Sequence, residues 1–164
     1  MRYEKEFFCE CIRQHEKSMY TLAFSILKNE NDAADIMQEA ILKAYCNMDN
    51  LQDQKKFKSW ILSIVHNTAI DFLRKHRETV DIEDQWDFSA PESPIDVATK
   101  LTVWDAIQKL KLPYQTVVIL FYYDNLPIQK ISDITSTPAV TVRQQLFRAR
   151  KMLAKLLNKE DFTQ

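Results

Sequence analysis

The sequence predicts an all-α protein made of two small helical domains joined by an acidic linker. Three observations predict this. Glycine is absent from all 164 residues, and a sheet-rich fold of that length would need glycine for its turns. Apolar residues recur at helical spacing in one segment after another. Between two such stretches, residues 79–96 break the pattern with Pro91 and Pro94 set among Ser, Asp and Glu, as an extended linker does. With 46% hydrophobic residues, the chain can form a buried core, and global disorder is excluded. Helices in a chain without glycine must end on Asn, Ser or Asp instead.

The first domain is expected over residues 1–78. Phe7, Phe8, Ile12, Met19, Leu22, Ala23 and Ile26 predict one long helix within 3–27. Lys28-Asn29-Glu30-Asn31 is the turn, and Asn29 or Asn31 can cap the next helix. In that second helix Ala33, Ile36, Met37, Ala40, Ile41 and Ala44 form the apolar face, leaving Asp32, Asp35, Gln38, Glu39 and Lys43 on the other. A polar loop runs from about Asn47 to Lys56. Phe57, Trp60, Ile61, Ile64, Val65, Ile70, Phe72 and Leu73 then predict a third helix, ending in the basic cluster Arg74-Lys75-His76-Arg77. In the linker, Ile82, Trp86 and Phe88 leave docking and a free chain as equal alternatives.

The second domain is expected over residues 97–160. Leu101, Trp104, Ile107 and Leu110 give its first helix, and Tyr114 to Tyr123 gives the next. Pro127 suits a first helical position before the short helix of Ile128, Ile131 and Ile134. Thr135 to Pro138 is a turn. The last helix begins near Ala139, with Val142, Leu146, Ala149, Leu153 and Leu156 as its core stripe. From Thr141 to Lys159 it carries six Lys/Arg and no acid. A cationic helix following a helix and a tight turn is what major-groove DNA binding requires.

The net charge of −1 hides strong segregation. Residues 29–53 hold six acids against one lysine, and residues 54–77 hold six Lys/Arg against one aspartate. Residues 80–98 hold six acids and no base. Any one block reads most simply as a solvated face. Four alternating blocks, counting the basic last helix, point to two DNA-facing surfaces and an acidic surface for a basic protein partner.

Two stretches resemble one family. Residues 110–157, through Leu112-Pro113, Leu120, Leu126, Ile131, Ile134, Thr141-Val142 and Arg148-Ala149-Arg150 with Leu153, resemble region 4 of the sigma-70 superfamily in its extracytoplasmic-function (ECF) form. Residues 29–77 resemble region 2, through Asp32-Ala33, Asp35 to Glu39, Lys43 to Tyr45, Phe57, Trp60-Ile61, Asn67, Ala69, Asp71 and Leu73-Arg74. LuxR-type and other helix-turn-helix proteins share the second-domain pattern but not that of the first domain. The resemblance implies an RNA polymerase sigma factor that binds core polymerase and directs promoter-specific transcription initiation. It implies that Asp35, Gln38 and Glu39 dock on the beta-prime clamp helices, with the beta flap as a further contact, although an ordinary solvated face remains the alternative. It also implies that residues 49–77 melt the minus-ten element. Strand separation needs cations along phosphates and aromatic or amide groups for an unstacked base; Lys55, Lys56, Lys58, Asn67, Arg74 and Arg77 suit it. Trp60 fits either stacking or the helix core.

For the minus-thirty-five element, Arg143 and Gln144 are the candidates for base edges, and Thr141, Arg148 and Lys151 for phosphates. Arg148 and Arg150 fit capping or ion pairing within the domain as the alternative. The family implies control by an anti-sigma factor, possibly membrane-anchored, and a stress-responsive role. Ser136 stands where the family usually has glycine, which bears on the geometry of the turn. Gln129-Lys130 stand in place of Glu-Glu, and Cys46 in place of a frequent Arg.

No enzyme emerges: there is no Gly-rich phosphate loop, and His15, His66 and His76 are scattered. Cys9, Cys11 and Cys46 lack zinc-site spacing and read as reduced thiols, with a Cys9/Cys11 metal site as the lesser reading. No cofactor and no metal are expected. The absence of an 18-residue apolar run or a signal segment predicts a cytoplasmic protein without direct membrane binding. Two rival functions stand beside the sigma reading, a stand-alone helix-turn-helix repressor and a polymerase-binding adaptor.

Overall fold

The computed structural model describes residues 2–79 and 102–161, and every regular element within them is helical. The acidic linker beyond Thr79, with Ile82, Trp86 and Phe88, lies outside the described residues, as does the start of the second domain up to Leu101.

Three helices build the first domain: α1 (Arg2–Leu27), α2 (Glu30–Cys46) and α3 (Phe57–Thr79). Each packs against the other two. Met19, Leu22, Ala23 and Ile26 of α1 are buried against Ala33, Ile36, Ala40 and Ala44 of α2 and Phe57, Ile61, Leu62, Val65 and Ala69 of α3. Three of the four buried residues of α2 are alanines, which let its backbone approach its neighbours closely. The Phe57 ring anchors the start of α3 amid Phe7, Phe8, His15 and Trp60, at centroid distances of 5.6–6.4 Å, within the range of favourable aromatic pairing.

Asn29 starts α2. Its backbone is extended and its Oδ1 accepts the Asp32 N–H at 3.0 Å, while Glu30 and Asp32 place negative charge on the positive end of the helix. Two single 3₁₀ turns, Met48–Asn50 and Gln54–Lys56, carry the polar loop to α3.

The second domain comprises α4 (Val103–Gln108), α5 (Tyr114–Val118) running into a π-helical turn (Ile119–Tyr123), α6 (Ile128–Thr135) and α7 (Ala139–Asp161). Helix α4 is shorter than the apolar spacing from Leu101 to Leu110 predicts. It opens on a reciprocal cap between Thr102 and Asp105 and gives way at Lys109 to a turn. The Thr102 hydrogen bonds hold the Asp105 carboxyl below the ordinary range. Ile107, Val117 to Leu120, Ile131, Ile134, Val142, Leu146 and Ala149 close the core.

Without glycine, three other residues take left-handed backbone: Lys28 (φ 58°), Asn125 (φ 55°) and Ser136 (φ 52°). Asn and Ser at such positions follow from the composition. Lys28 does not; it ends α1 with its N–H donating to Phe24 O at 2.7 Å. The two domains touch: α6 lies against α3 and α5 against α1, and Lys28 reaches Gln108 across the contact.

Candidate nucleic-acid and polymerase interfaces

Helix α2 turns its alanine-rich face inward, so Asp35, Gln38 and Glu39 all stand exposed on the opposite side. Leu42, 65% exposed, continues that face one turn on. Lys43 does not neutralise it fully: its ammonium lies 3.3 Å from Glu39 but also donates to Thr68 Oγ1 on α3. The outcome is an acidic surface with Leu42 and Tyr45 at its apolar end. Sequence reasoning missed Leu42; its seven-residue spacing from Asp35 is the signal that places it there.

The candidate strand-separating residues divide into three groups. Lys55 and Lys56 are exposed on the 3₁₀ turn leading into α3, where Asp53 accepts the Lys55 N–H at 2.9 Å. Trp60, Asn67 and Arg74 are seven residues apart, so they share one face of α3; Asn67 and Arg74 are exposed and Trp60 is half-buried against the core. The two readings of Trp60 thus meet in one residue, rooted in the core with part of its ring at the surface. Lys58 goes elsewhere: half-buried, it donates to the Asp124 carbonyl oxygen of the second domain at 2.7 Å. The Arg77 side chain lies outside the described residues. His66 is largely enclosed, and burial pushes its pKa down.

The helix-turn-helix is formed by α6 and α7. Ser136 takes the left-handed position, the Thr137 N–H donates to Ser132 O at 3.1 Å, and Ser132 Oγ donates back to Thr137 O at 2.6 Å. Serine here therefore keeps the helix-ending geometry that glycine commonly supplies. Because Val142, Leu146 and Ala149 face inward, Arg143, Gln144, Phe147, Arg148 and Lys151 line a shallow outer groove of about 450 Å³. Thr141 is half-buried beside it. The Lys151 ammonium lies 4.5 Å from the Phe147 ring centre, close enough for cation–π attraction. Arg150 is not part of this face. Its Nε donates to the Tyr122 hydroxyl at 2.6 Å, and its guanidinium covers the Phe121 and Tyr122 rings, so Arg150 is engaged within the domain by a hydroxyl and two rings, not by the expected cap or ion pair. Phe147, 58% exposed, and Val140, 61% exposed, are apolar members of this surface that a count of charges overlooks.

The Sigma-70 region 2 family model matches residues 11–79, and the Sigma-70, region 4 model matches residues 100–153. RNA polymerase sigma factor SigV of Bacillus subtilis is 34% identical over 159 residues, spanning 97% of this chain and 96% of that protein. The chain belongs to the ECF sigma factors of the sigma-70 family. The ECF RNA polymerase sigma factor SigW of B. subtilis is 31% identical, across 94% of this chain and 90% of its own length. The fold of this sigma factor is also that of the Bartonella quintana sigma factor RpoE, solved in complex with the anti-sigma factor NepR. The TM-score is 0.74 at 20% identity, covering 92% of this chain and 96% of that one. Sigma factors as a class are not enzymes. Among the described residues of this one, no group of three or more His, Cys, Asp or Glu is placed to hold a metal ion, and no helix is long and apolar enough to cross a membrane.

Proposed function

We propose that this sigma factor binds core RNA polymerase through Asp35, Gln38 and Glu39 on the beta-prime clamp helices, with a further contact of its second domain on the beta flap. It opens the minus-ten element with Lys55, Lys56, Lys58, Trp60, Asn67, Arg74 and Arg77. It reads the minus-thirty-five element with Arg143 and Gln144 on base edges and with Thr141, Arg148 and Lys151 on phosphates. Domain boundaries at 1–78, 79–96 and 97–160 serve this division of labour. The observation that carries the reading is the pairing, in one chain, of an exposed acidic face on α2 with an exposed acid-free face on α7. Neither face alone distinguishes an initiation factor from a repressor. Together they give one surface for a basic protein and one for DNA.

Regulation by an anti-sigma factor, possibly membrane-anchored, a stress-responsive role and a cytoplasmic location complete the proposal. The B. quintana complex and family membership support the anti-sigma partner. The test is transcription in vitro from promoter fragments, with core polymerase and the full chain. Initiation at a defined set of start sites, lost in Asp35→Ala with Glu39→Ala, is the expected result. Tight, sequence-specific duplex binding by the free protein, with no initiation on core polymerase, would establish the repressor instead.

A further inference from the structure

A cavity between the domains stands apart from the proposed DNA and polymerase surfaces. Lys17, Ser18 and Thr21 of α1 face Trp104 of α4 and Tyr123 and Asp124 of the second domain around a space of about 410 Å³. That is room for a small organic molecule. None of the six residues has a part in the proposed reading of promoter DNA or docking on polymerase.

Local rules set each wall. Thr21 lies three residues after Ser18 and four after Lys17, so the three share one face of α1. Trp104 stands in the first turn of α4, behind the Thr102–Asp105 cap. Tyr123 ends the π-helical turn and Asp124 closes it, the Asp124 N–H donating to Ile119 O at 3.1 Å. A π-turn adds one residue to the helical repeat, which carries Tyr123 and Asp124 past the phase that a regular helix would give them.

Two features of the wall point to one kind of ligand. The first is Asp124, which is 4% exposed while its Oδ2 has no hydrogen-bond partner. Burial pushes the pKa of this carboxyl up, and the Ser18 hydroxyl and the charge of Lys58 offset that only in part. The Lys58 ammonium donates to the Asp124 backbone oxygen at 2.7 Å. A buried carboxyl oxygen left without a donor costs free energy that an incoming N–H returns. The second is the pair of rings. Trp104 and Tyr123 meet edge to face, with centres 5.2 Å apart and planes at 84°. Perpendicular rings form a corner in which a cation meets a ring face.

An open carboxyl oxygen beside an aromatic corner complements a positively charged nitrogen that carries N–H bonds. The Ser18 and Thr21 hydroxyls on the α1 wall are further acceptors. Lys17 opposes a cation, but it is exposed, where solvent and salt screen it. An anionic ligand would have Lys17 alone to meet it and would face the buried acid, so it is the poorer match.

We propose that this cavity is a binding site for a small organic cation with N–H donors, a primary ammonium or a guanidinium, held by the Asp124 carboxylate and the Trp104–Tyr123 corner. The N–H groups of the cation meet Asp124 Oδ2, its charge faces the rings, and its hydrocarbon part fills the remaining space. The site goes beyond the sigma reading and does not depend on it.

Fluorine NMR of the full chain labelled with 5-fluorotryptophan is the test. The chain has three tryptophans, and the Trp104 resonance is assigned by its loss in Trp104→Phe. Titration with n-butylammonium or n-propylguanidinium should move that resonance saturably and leave that of Trp60 in place. Neutral 1-pentanol, of the same length as n-butylammonium, should produce no saturable shift over the same concentrations. Asp124→Asn should weaken n-butylammonium by about tenfold or more. Lys17→Gln, which removes the opposing charge, should tighten it by roughly twofold. A Trp104 resonance unmoved by both cations would overturn the proposal. An equal response to 1-pentanol, or undiminished binding in Asp124→Asn, would do the same and leave only a solvent-filled gap. Circular dichroism checks that Asp124→Asn is folded. If it is not, Tyr123→Leu takes its place, at a residue 48% exposed; weakened binding there supports the site, and unchanged affinity overturns it.

Discussion

Replacing Ser136 by glycine should stabilise the second domain without altering what it binds. Ser136 adopts φ 52° and ψ 41° at the end of α6, where a residue with a Cβ costs roughly 1–2 kcal/mol relative to right-handed backbone. Glycine escapes that cost, but its freer unfolded chain takes back about 0.5–1 kcal/mol. The balance is a gain of about 0.5–1 kcal/mol, or a rise in midpoint of about 2–8 °C for a domain of this size. The turn's own bonds, Thr137 N–H to Ser132 O and Ser132 Oγ to Thr137 O, do not use the Ser136 side chain and survive the change. Thermal unfolding followed by circular dichroism, with Ser136→Ala as the control that keeps a Cβ, isolates the backbone effect. Alanine should fall at or slightly below wild type and glycine above both. A glycine variant no more stable than wild type would show that this serine costs nothing where it stands, and the account of the turn would be wrong.

Three further outcomes are expected. Asn29→Ala removes the acceptor of the Asp32 N–H and should cost about 1 kcal/mol in chemical denaturation; a neutral result would mean that water caps α2 equally well. Burial pushes Lys28 from 10.5 down to about 8, so between those values the unfolded chain binds more protons than the folded one. The stability of wild type measured against Lys28→Gly should therefore rise from about pH 8 to 10.5 and be flat below, and a fall across that window would refute the assignment. In the major groove, Arg143→Ala or Gln144→Ala should cost about 1–3 kcal/mol per lost base contact and change which promoters are selected. Lys151→Ala should weaken all sequences alike and lower the salt dependence by about one charge, so a library selection that finds Lys151→Ala altering specificity would reverse these roles.

Much of this molecule is legible in its sequence because its helices are governed by local rules. The apolar spacing that places Ala33, Ile36, Ala40 and Ala44 on one face of α2 also determines that Asp35, Gln38 and Glu39 face outward. The same logic on α7 separates Val142, Leu146 and Ala149 from Arg143, Gln144 and Arg148. What sequence reasoning missed is non-local. The preference of Arg150 for Tyr122 spans 28 residues, and that of Lys58 for Asp124 spans 66; no periodicity encodes either. Phe147 and Leu42 were missed for another reason, since an apolar residue at a surface position looks like a core residue until its helical phase is compared with its neighbours.

The absence of glycine links the local and non-local levels. A glycine-free chain must place a Cβ in left-handed backbone wherever a helix needs that exit, and here the exits are Lys28, Asn125 and Ser136. Asparagine tolerates the conformation through its short polar side chain, and Ser136 sits in a turn held by its neighbours' hydrogen bonds. Lys28 is held by its own N–H, which donates to Phe24 O at 2.7 Å. Its side chain also bonds Gln108, 80 residues away, so the end of α1 and the contact between the two domains share one residue. Asn125 comes directly after the residue whose carbonyl receives Lys58, so of the three left-handed exits one bonds across the interdomain contact and one stands beside it. Separating the domains would therefore remove the side-chain bonds of Lys28 and leave in place the backbone bond that ends α1.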